Sequence, residues 1–134
     1  MEKIPYTQTL KARSEADGTY YIRDMHVESG WWLFVQHFAC KDIETAPSKI
    51  IVGRGKDQAI DHPFEEEPTP ALDTWYHSEK PLYFVPEGER MIAEFQTTVQ
   101  GDQLRFVIDG YLTPKRLSAA VETLKKLEVA GGEE

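Results

Sequence analysis

The sequence has a single cysteine, Cys40, among its 134 residues. One cysteine cannot form an intrachain disulfide, so a disulfide-dense secreted scaffold is excluded. No apolar run approaches the roughly 20 residues that a membrane helix needs. The first residues also lack the apolar core of a signal peptide. We therefore expect a protein with no membrane partner that stays soluble in the cytoplasm, where it is made.

Basic residues are few compared with acidic ones. The chain has 15 lysines and arginines but 23 aspartates and glutamates, which gives a net charge of −8 and a pI near 5.0. Proteins that bind nucleic acid usually present a basic surface to the phosphate backbone. We therefore expect no nucleic-acid partner. The length of 134 residues predicts one compact core, since a domain of this size buries enough apolar surface without staples.

Recognisable catalytic motifs are also lacking. The sequence contains no G-x-S-x-G elbow and no local cysteine-protease signature. The segment Gly53-Arg54-Gly55-Lys56 lacks the spacing of a phosphate-binding loop. The four histidines do not show the short spacings of zinc sites. We predict a protein that is not an enzyme, with no catalytic residues, no resident metal and no cofactor.

One acidic segment keeps an alternative open. Residues 56–80 hold three prolines and form the longest stretch without a periodic pattern. If the chain brought its acids and histidines together, they would offer oxygen and imidazole ligands to a divalent cation. A solvated acidic loop is the favoured interpretation. The residues concerned are Asp61, His62, Glu65, Glu66, Glu67 and His77.

What the sequence does contain is alternation with a period of two, clearest in residues 82–112. Met91, Ala93 and Phe95 alternate with more polar positions in one run, and the second run repeats the pattern with Leu104, Phe106 and Ile108. Such alternation places one set of side chains on a core face. Gly101 lies between the runs, where it permits chain reversal. The two runs predict a hairpin.

Further strand-like runs precede this pair, and a helical pattern follows it. The run WWLFVQHFAC, residues 31–40, is apolar on both sides and predicts a central strand covered on both faces. Thr113 and Pro114 match a helix N-cap and first position. The remaining predicted strands cover residues 4–12, 20–27 and 50–52, and the apolar helical stripe comprises Leu117, Ala120, Val121, Leu124 and Leu127.

These patterns predict a mainly β fold: an antiparallel β-sandwich or jelly roll with a C-terminal α-helix. An open barrel is the alternative architecture. We predict a β-sandwich domain over residues 1–113, and a C-terminal helix with a frayed tail over residues 114–134.

Aromatic residues are the candidate contact residues. Their flat faces stack on sugar rings or fill pockets on a partner protein. Adjacent residues in a strand point to opposite faces, so one of Trp31 and Trp32 is expected to be exposed. Core packing is the competing explanation. The candidates are Trp31, Trp32, Trp75, Tyr76 and Tyr111.

Part of residues 82–112 also resembles a known family. The segments are Val85-Pro86-Glu87-Gly88-Glu89, Ala93-Glu94-Phe95, Gly101-Asp102-Gln103-Leu104 and Asp109-Gly110-Tyr111-Leu112. They resemble small jelly-roll structural proteins of phage and virus particles. The resemblance implies a virion component, such as a capsid decoration or head–tail connecting protein.

Three functional hypotheses follow. The first is a non-enzymatic assembly protein that forms homo-oligomers and contacts other particle proteins. The second is a β-sandwich module that binds carbohydrate, or binds a ligand in a calcium-dependent way. The third is an enzyme of the jelly-roll metal type, which would need at least two histidines and a carboxylate facing into one barrel. The first is the favoured hypothesis.

Overall fold

The computed structural model describes residues 3–115, which form an all-β sandwich of two antiparallel sheets. This confirms the predicted sandwich. Within these residues the strands are β1 (Ile4–Arg13), β2 (Gly18–Arg23), β3 (Trp31–Asp42), β4 (Lys49–Gly55), β5 (His62–Glu67), β6 (Tyr76–His77), β7 (Tyr83–Val85), β8 (Arg90–Thr98) and β9 (Gln103–Pro114).

The first sheet has the order β1-β9-β3, and both β6 and β7 pair with the far edge of β3. The second sheet has the order β2-β8-β4-β5. The longest strands, β3 and β9, lie side by side at the centre of the first sheet. Their inner faces carry the apolar residues that the second sheet covers, which is why the two sheets stack.

The core confirms the alternation read from the sequence. Leu104, Phe106 and Ile108 on β9 are fully buried, as are Met91, Ala93 and Phe95 on β8. Both sets belong to one cluster between the sheets, to which β3 contributes Leu33, Val35, Phe38 and Cys40. Burial of these side chains is the main contribution to the stability of the sandwich.

The predicted hairpin is wrong, because β8 and β9 lie in different sheets. β8 pairs with β2 and β4, whereas β9 pairs with β1 and β3. Both strands are amphipathic, and alternation alone does not say whether two such strands share a sheet or face each other across a core. Gly101 does have a positive φ of 93°, but the turn that it forms crosses from one sheet to the other.

A bulge in β3 explains why its sequence lacks a clean period. Val35 pairs with Gly110 and His37 with Asp109, so Gln36 is an extra residue on β3. Before the bulge Leu33 and Val35 face the core, and after it Phe38 and Cys40 do. The outer face of the first half carries Trp32 and Phe34, which are also buried. The prediction of a central strand buried on both sides is therefore confirmed for this half.

The predicted start of the C-terminal helix is wrong. Thr113 and Pro114 belong to β9, where they pair with Trp32 and Trp31. Residues that make a good helix start are also compatible with the end of a strand, and the long ladder with β3 decides between them. The rest of the predicted helix lies outside the described residues.

The irregular stretch of residues 56–80 contains two strands that its prolines obscured. β5 forms the edge of the second sheet beside β4, and β6 pairs with β3 through Ala39 and Cys40. Pro63 is tolerated because β5 is an edge strand, where one ladder of hydrogen bonds is not required.

Candidate functional site

The five predicted contact residues do not form one surface. Trp32 is only 3% exposed and packs edge-on against Phe84, with ring centroids 5.2 Å apart. Tyr111 stacks on Phe34 at 5.5 Å. These residues form an aromatic cluster on the outer face of the first sheet. The expectation that Trp31 and Trp32 point to opposite faces is met, and Trp31 is the more exposed of the two.

Trp31 lies at a different place, in an apolar groove of about 270 Å³. The groove is also lined by Ile4, Met25 and Leu112. Below it the Tyr6 hydroxyl donates a 2.6 Å hydrogen bond to the buried Asp24 carboxylate. Burial, followed by this bond, raises the pKa of Tyr6 well above its usual range. The Tyr6 hydroxyl therefore serves as a structural hydrogen-bond donor to Asp24.

Trp75 and Tyr76 lie near the other end of the first sheet. Trp75 is 37% exposed, and the Lys41 ammonium lies 4.7 Å from its ring centroid while pairing with Asp73 at 2.9 Å. The Tyr76 hydroxyl donates to Glu65 at 3.1 Å. Burial, together with the negative charge of Glu65, raises the pKa of Tyr76. Of this pair only Trp75 is exposed.

The acids and histidines of the segment around β5 do not converge on a cation site. The Glu65 carboxylate accepts hydrogen bonds from the backbone amides of Glu79 and Lys80. Asp61 accepts one from the amide of Lys56. His77 is hydrogen-bonded to His37 on β3, with Nδ1 and Nε2 3.0 Å apart. Within residues 3–115 these three side chains fix loops and strands in place.

A carboxylate cluster that the sequence did not indicate lies at one end of the sandwich. Asp42 is the last residue of β3, Glu44 follows in the β3–β4 loop, and Asp102 directly precedes β9. One ligand oxygen from each lies within 4.8 Å of the others. Asp42 and Asp102 are 1% and 4% exposed, whereas Glu44 is exposed. We call these residues the acidic triad.

Backbone and side-chain donors hold the acidic triad in position. The Asp42 carboxylate accepts hydrogen bonds from the amides of Glu44 and Thr45, both at 3.0 Å. The Thr45 hydroxyl donates to Asp102 at 3.0 Å. The Glu44 carboxylate accepts from the Gln103 amide at 2.6 Å and from its side chain at 3.0 Å. The triad thus joins the β3–β4 loop to the connection between β8 and β9.

The two buried carboxyls of the triad titrate in opposite directions. Burial, reinforced by the neighbouring Asp102, raises the pKa of Asp42 to about 6. For Asp102 burial opposes ionisation, but hydrogen bonds from the Val99 amide, Asp42 and Thr45 outweigh it and lower its pKa. Asp42 is therefore the carboxyl that takes up a proton first, and Asp102 keeps its charge.

A second notable surface is the outer edge of β1, to which no strand among residues 3–115 is paired. The Ser14 amide donates to the Asp102 carbonyl at 2.9 Å, in continuation of the β1–β9 register. In an antiparallel ladder, alternate residues bond to the same neighbour. Even-numbered residues of β1 therefore bond to β9, and the odd-numbered ones from Thr7 to Arg13 direct their N–H and C=O groups away from the sheet.

Both features were missed from the sequence for a physical reason. Asp42 and Asp102 are 60 positions apart in the chain and meet only because β3 and β9 pair. The one local signal was Asp42 itself, a carboxylate at the end of a mainly apolar strand whose side chain caps the next turn. The edge position of β1 depends on the strand order, which alternation does not encode.

No protein-family model, curated protein or solved structure matches this chain. No helix among residues 3–115 is long and apolar enough to cross a membrane.

Proposed function

We propose that the protein is a non-enzymatic assembly protein that self-associates through the open edge of β1. The observation that carries the proposal is this edge: a strand of 10 residues with a row of outward backbone donors and acceptors. An edge of this kind pairs readily with another strand. The partner we propose is β1 of a second copy, in an antiparallel pair across a twofold axis.

The strand order supports the jelly-roll form of this hypothesis. A jelly roll is a long antiparallel hairpin wound into two sheets, so its first strand pairs with its last and the pairing continues inward. The corresponding pairs here are β1–β9, β2–β8, β3 with β6 and β7, and β4–β5. Jelly rolls are common in capsid proteins and also in lectins and cupins. The fold is therefore compatible with an assembly role but does not by itself establish one.

The sequence of β1 is compatible with pairing to itself. With Thr9 opposite Thr9 of the second copy, Lys11 lies opposite Thr7, and Arg13 lies opposite Pro5. The missing N–H of Pro5 removes one donor at each end of the pair, so roughly eight interstrand hydrogen bonds remain. No like charges stand directly opposite each other in this register. Lys11 residues of the two copies are about 13 Å apart along the strands, beyond the Debye length at physiological salt.

The same register brings opposite charges together. Thr7 pairs with Asp109 on β9, and the two side chains share a 3.2 Å hydrogen bond on the exposed face. Lys11 of the second copy, opposite Thr7, is two strand spacings from Asp109, about 10 Å between Cα atoms. A lysine side chain spans most of that distance. Twofold symmetry gives two such Lys11–Asp109 pairs.

The test is the oligomeric state of the full chain, measured by native mass spectrometry and light scattering over a range of concentrations. We expect a dimer with a dissociation constant in the micromolar range, as is usual for small interfaces. Thr9→Pro removes the outward N–H at the centre of the pair and should give a monomer. Thr9→Val keeps that N–H and should remain dimeric.

A charge exchange provides a second test that does not depend on proline. Lys11→Glu should weaken the dimer because it places two acids near each other, and adding Asp109→Lys should restore it. Circular dichroism shows whether each variant is folded. A strictly monomeric wild-type chain, or a dimer that Thr9→Pro leaves unchanged, would refute self-association through β1.

The setting we propose is a phage or virus particle, where the protein would contact other particle proteins. The resemblance of residues 82–112 and the jelly-roll strand order support this setting. The genes beside the coding sequence test it. Capsid, portal or tail genes on either side would support a virion role, and a metabolic operon would count against it.

A further inference from the structure

We propose that the acidic triad of Asp42, Glu44 and Asp102 binds a divalent cation, with Ca²⁺ the ion that fits its chemistry. The triad lies at the end of the sandwich where β3 ends and β9 begins, and it is composed only of oxygen donors. This site is independent of the proposed β1 pairing, which uses the outward groups of another strand.

An unsatisfied buried oxygen indicates that the triad is incomplete within the described part of the chain. Asp42 Oδ2 is buried and accepts no hydrogen bond from residues 3–115. The Asp42 residue as a whole is 99% buried, since its exposure is 1%. Buried carboxylate oxygens are normally hydrogen-bonded, paired with a cation or bound to a metal. The amides of Glu44 and Thr45 do not satisfy Oδ2, because they donate to Oδ1.

Positive side chains of residues 3–115 do not neutralise the triad. Among the ion pairs of these residues, none includes Asp42, Glu44 or Asp102. Lys41 is next to Asp42 in the chain, but it lies on the other face of β3 and pairs with Asp73. The hydrogen-bond donors to the triad are neutral amides and one hydroxyl. Three carboxylates therefore share one small region with no compensating charge from the described residues.

The oxygen-only composition of the triad suits calcium. Ligands of Ca²⁺ lie about 2.3–2.6 Å from the ion, so oxygens up to roughly 5 Å apart can share it. The triad oxygens all lie within 4.8 Å of one another, which meets this limit. Mg²⁺ demands near-ideal octahedral geometry and loses its water reluctantly, so protein carboxylates alone seldom enclose it. The absence of nitrogen and sulfur donors in the triad also disfavours transition metals.

The ligands keep enough acceptor capacity. Each carboxylate oxygen has about two lone-pair positions. From residues outside the triad, Asp102 Oδ1 and Oδ2 each accept one hydrogen bond, from the Thr45 hydroxyl and the Val99 amide respectively. Once Asp42 is ionised and no longer donates to Asp102, one position on each of these oxygens remains for an ion. A bound cation would tie the β3–β4 loop to the connection between β8 and β9, and so would join the two sheets at this end.

The experiment is calorimetric titration of the full chain, first treated with EDTA and moved to metal-free buffer, with CaCl₂ and separately with MgCl₂. We expect saturable Ca²⁺ binding with an affinity in the range of about 10⁻⁵ to 10⁻³ M, typical of sites outside dedicated high-affinity loops. Mg²⁺ should bind at least about tenfold more weakly, because it demands near-ideal octahedral geometry and gives up its bound water reluctantly.

Three variants localise the site. Asp42→Asn keeps the shape and should weaken Ca²⁺ binding by at least about tenfold. Glu66→Gln removes an exposed acid that pairs with Lys49 and should leave binding within about twofold. If circular dichroism shows Asp42→Asn to be unfolded, Glu44→Gln provides the test of the site, because Glu44 is exposed and its replacement should not affect folding. Glu44→Gln should also lower the Ca²⁺ affinity by about tenfold.

Two results would overturn the proposal. The first is a wild-type chain without saturable Ca²⁺ binding, which would mean that Asp42 and Asp102 share only a proton. The second is an equal loss of binding in Glu66→Gln and in the triad variants, which would indicate non-specific attraction to an acidic surface.

Discussion

Replacing Gly110 by alanine is the sharpest test of the packing between β3 and β9. Gly110 is buried in β9 opposite Val35, directly beside the bulge at Gln36. A Cβ atom at this position would overlap the Phe34 carbonyl oxygen and lie 2.9 Å from the Val35 Cα. Both neighbours are backbone atoms of the central strand, which cannot rotate away as a flexible side chain would.

The cost follows from the movement needed. Carbon atoms in contact normally lie about 3.5–4.0 Å apart, so β3 and β9 would have to separate by about 1 Å at the bulge. Such overpacking against backbone is expected to cost about 3–5 kcal/mol. With an m-value of about 2 kcal/mol per molar urea, the unfolding midpoint should fall by roughly 2 M.

Gly101→Ala is the matched control, since it is the same substitution in open space. Gly101 has a φ of 93°, and no atom lies within 4 Å of the place that a Cβ would occupy, so only backbone strain of about 1–2 kcal/mol is expected. The urea unfolding midpoint of both variants should be measured in the presence of EDTA. A Gly110→Ala midpoint within experimental error of that of Gly101→Ala would refute the claim that the bulge holds the two backbones in close contact.

Two further predictions concern buried side chains. Burial raises the pKa of Asp24. This effect outweighs the hydrogen bonds from Tyr6, Met25 and Gln8 and the charge of Arg90, all of which lower the pKa. The folded state therefore binds this proton more tightly than the unfolded state, so the contribution of Asp24 to stability is greatest below its unfolded pKa of about 3.9 and falls as the pH rises through its raised folded value. Asp24→Asn should reduce that fall in urea titrations between acid and neutral pH, and an unchanged pH slope would contradict this. Phe38→Ala should lower the free energy of unfolding by about 3–5 kcal/mol, because Phe38 is fully buried against Tyr83, whereas Trp75→Ala, at a partly exposed side chain, should cost less than about 1 kcal/mol in the same urea experiment.

The sequence predicted the strands better than their arrangement. The alternation of Leu104, Phe106 and Ile108 identified their buried face, because a period of two is a local property of extended chain. The same pattern in β8 could not show that this strand belongs to the opposite sheet. Strand pairing depends on contacts across the whole chain, and the strongest local signal, a glycine turn between two amphipathic runs, is equally compatible with a connection between sheets.

The candidate sites show the same division. The sequence identified the aromatic residues as candidates but did not show where each one lies. Trp32 is in a buried cluster, Trp31 lines a groove and Trp75 is partly exposed beside Lys41. No pattern in the sequence linked the residues of the acidic triad, because Asp42 and Asp102 are separated by the whole β4–β8 region. They become neighbours only through the β3–β9 ladder. Burial is also a tertiary property, and it is burial that raises the pKa of Asp42.

The amino-acid sequence by itself determined that this chain forms strands with one apolar face, because side chains of an extended backbone alternate regardless of what surrounds them. It also determined the acidity and the scarcity of cysteine. Only the tertiary structure decided which strands share a sheet, that the edge of β1 has no paired strand among residues 3–115, and that three carboxylates meet at one end. These features arise from contacts between residues far apart in the chain, which no local pattern specifies.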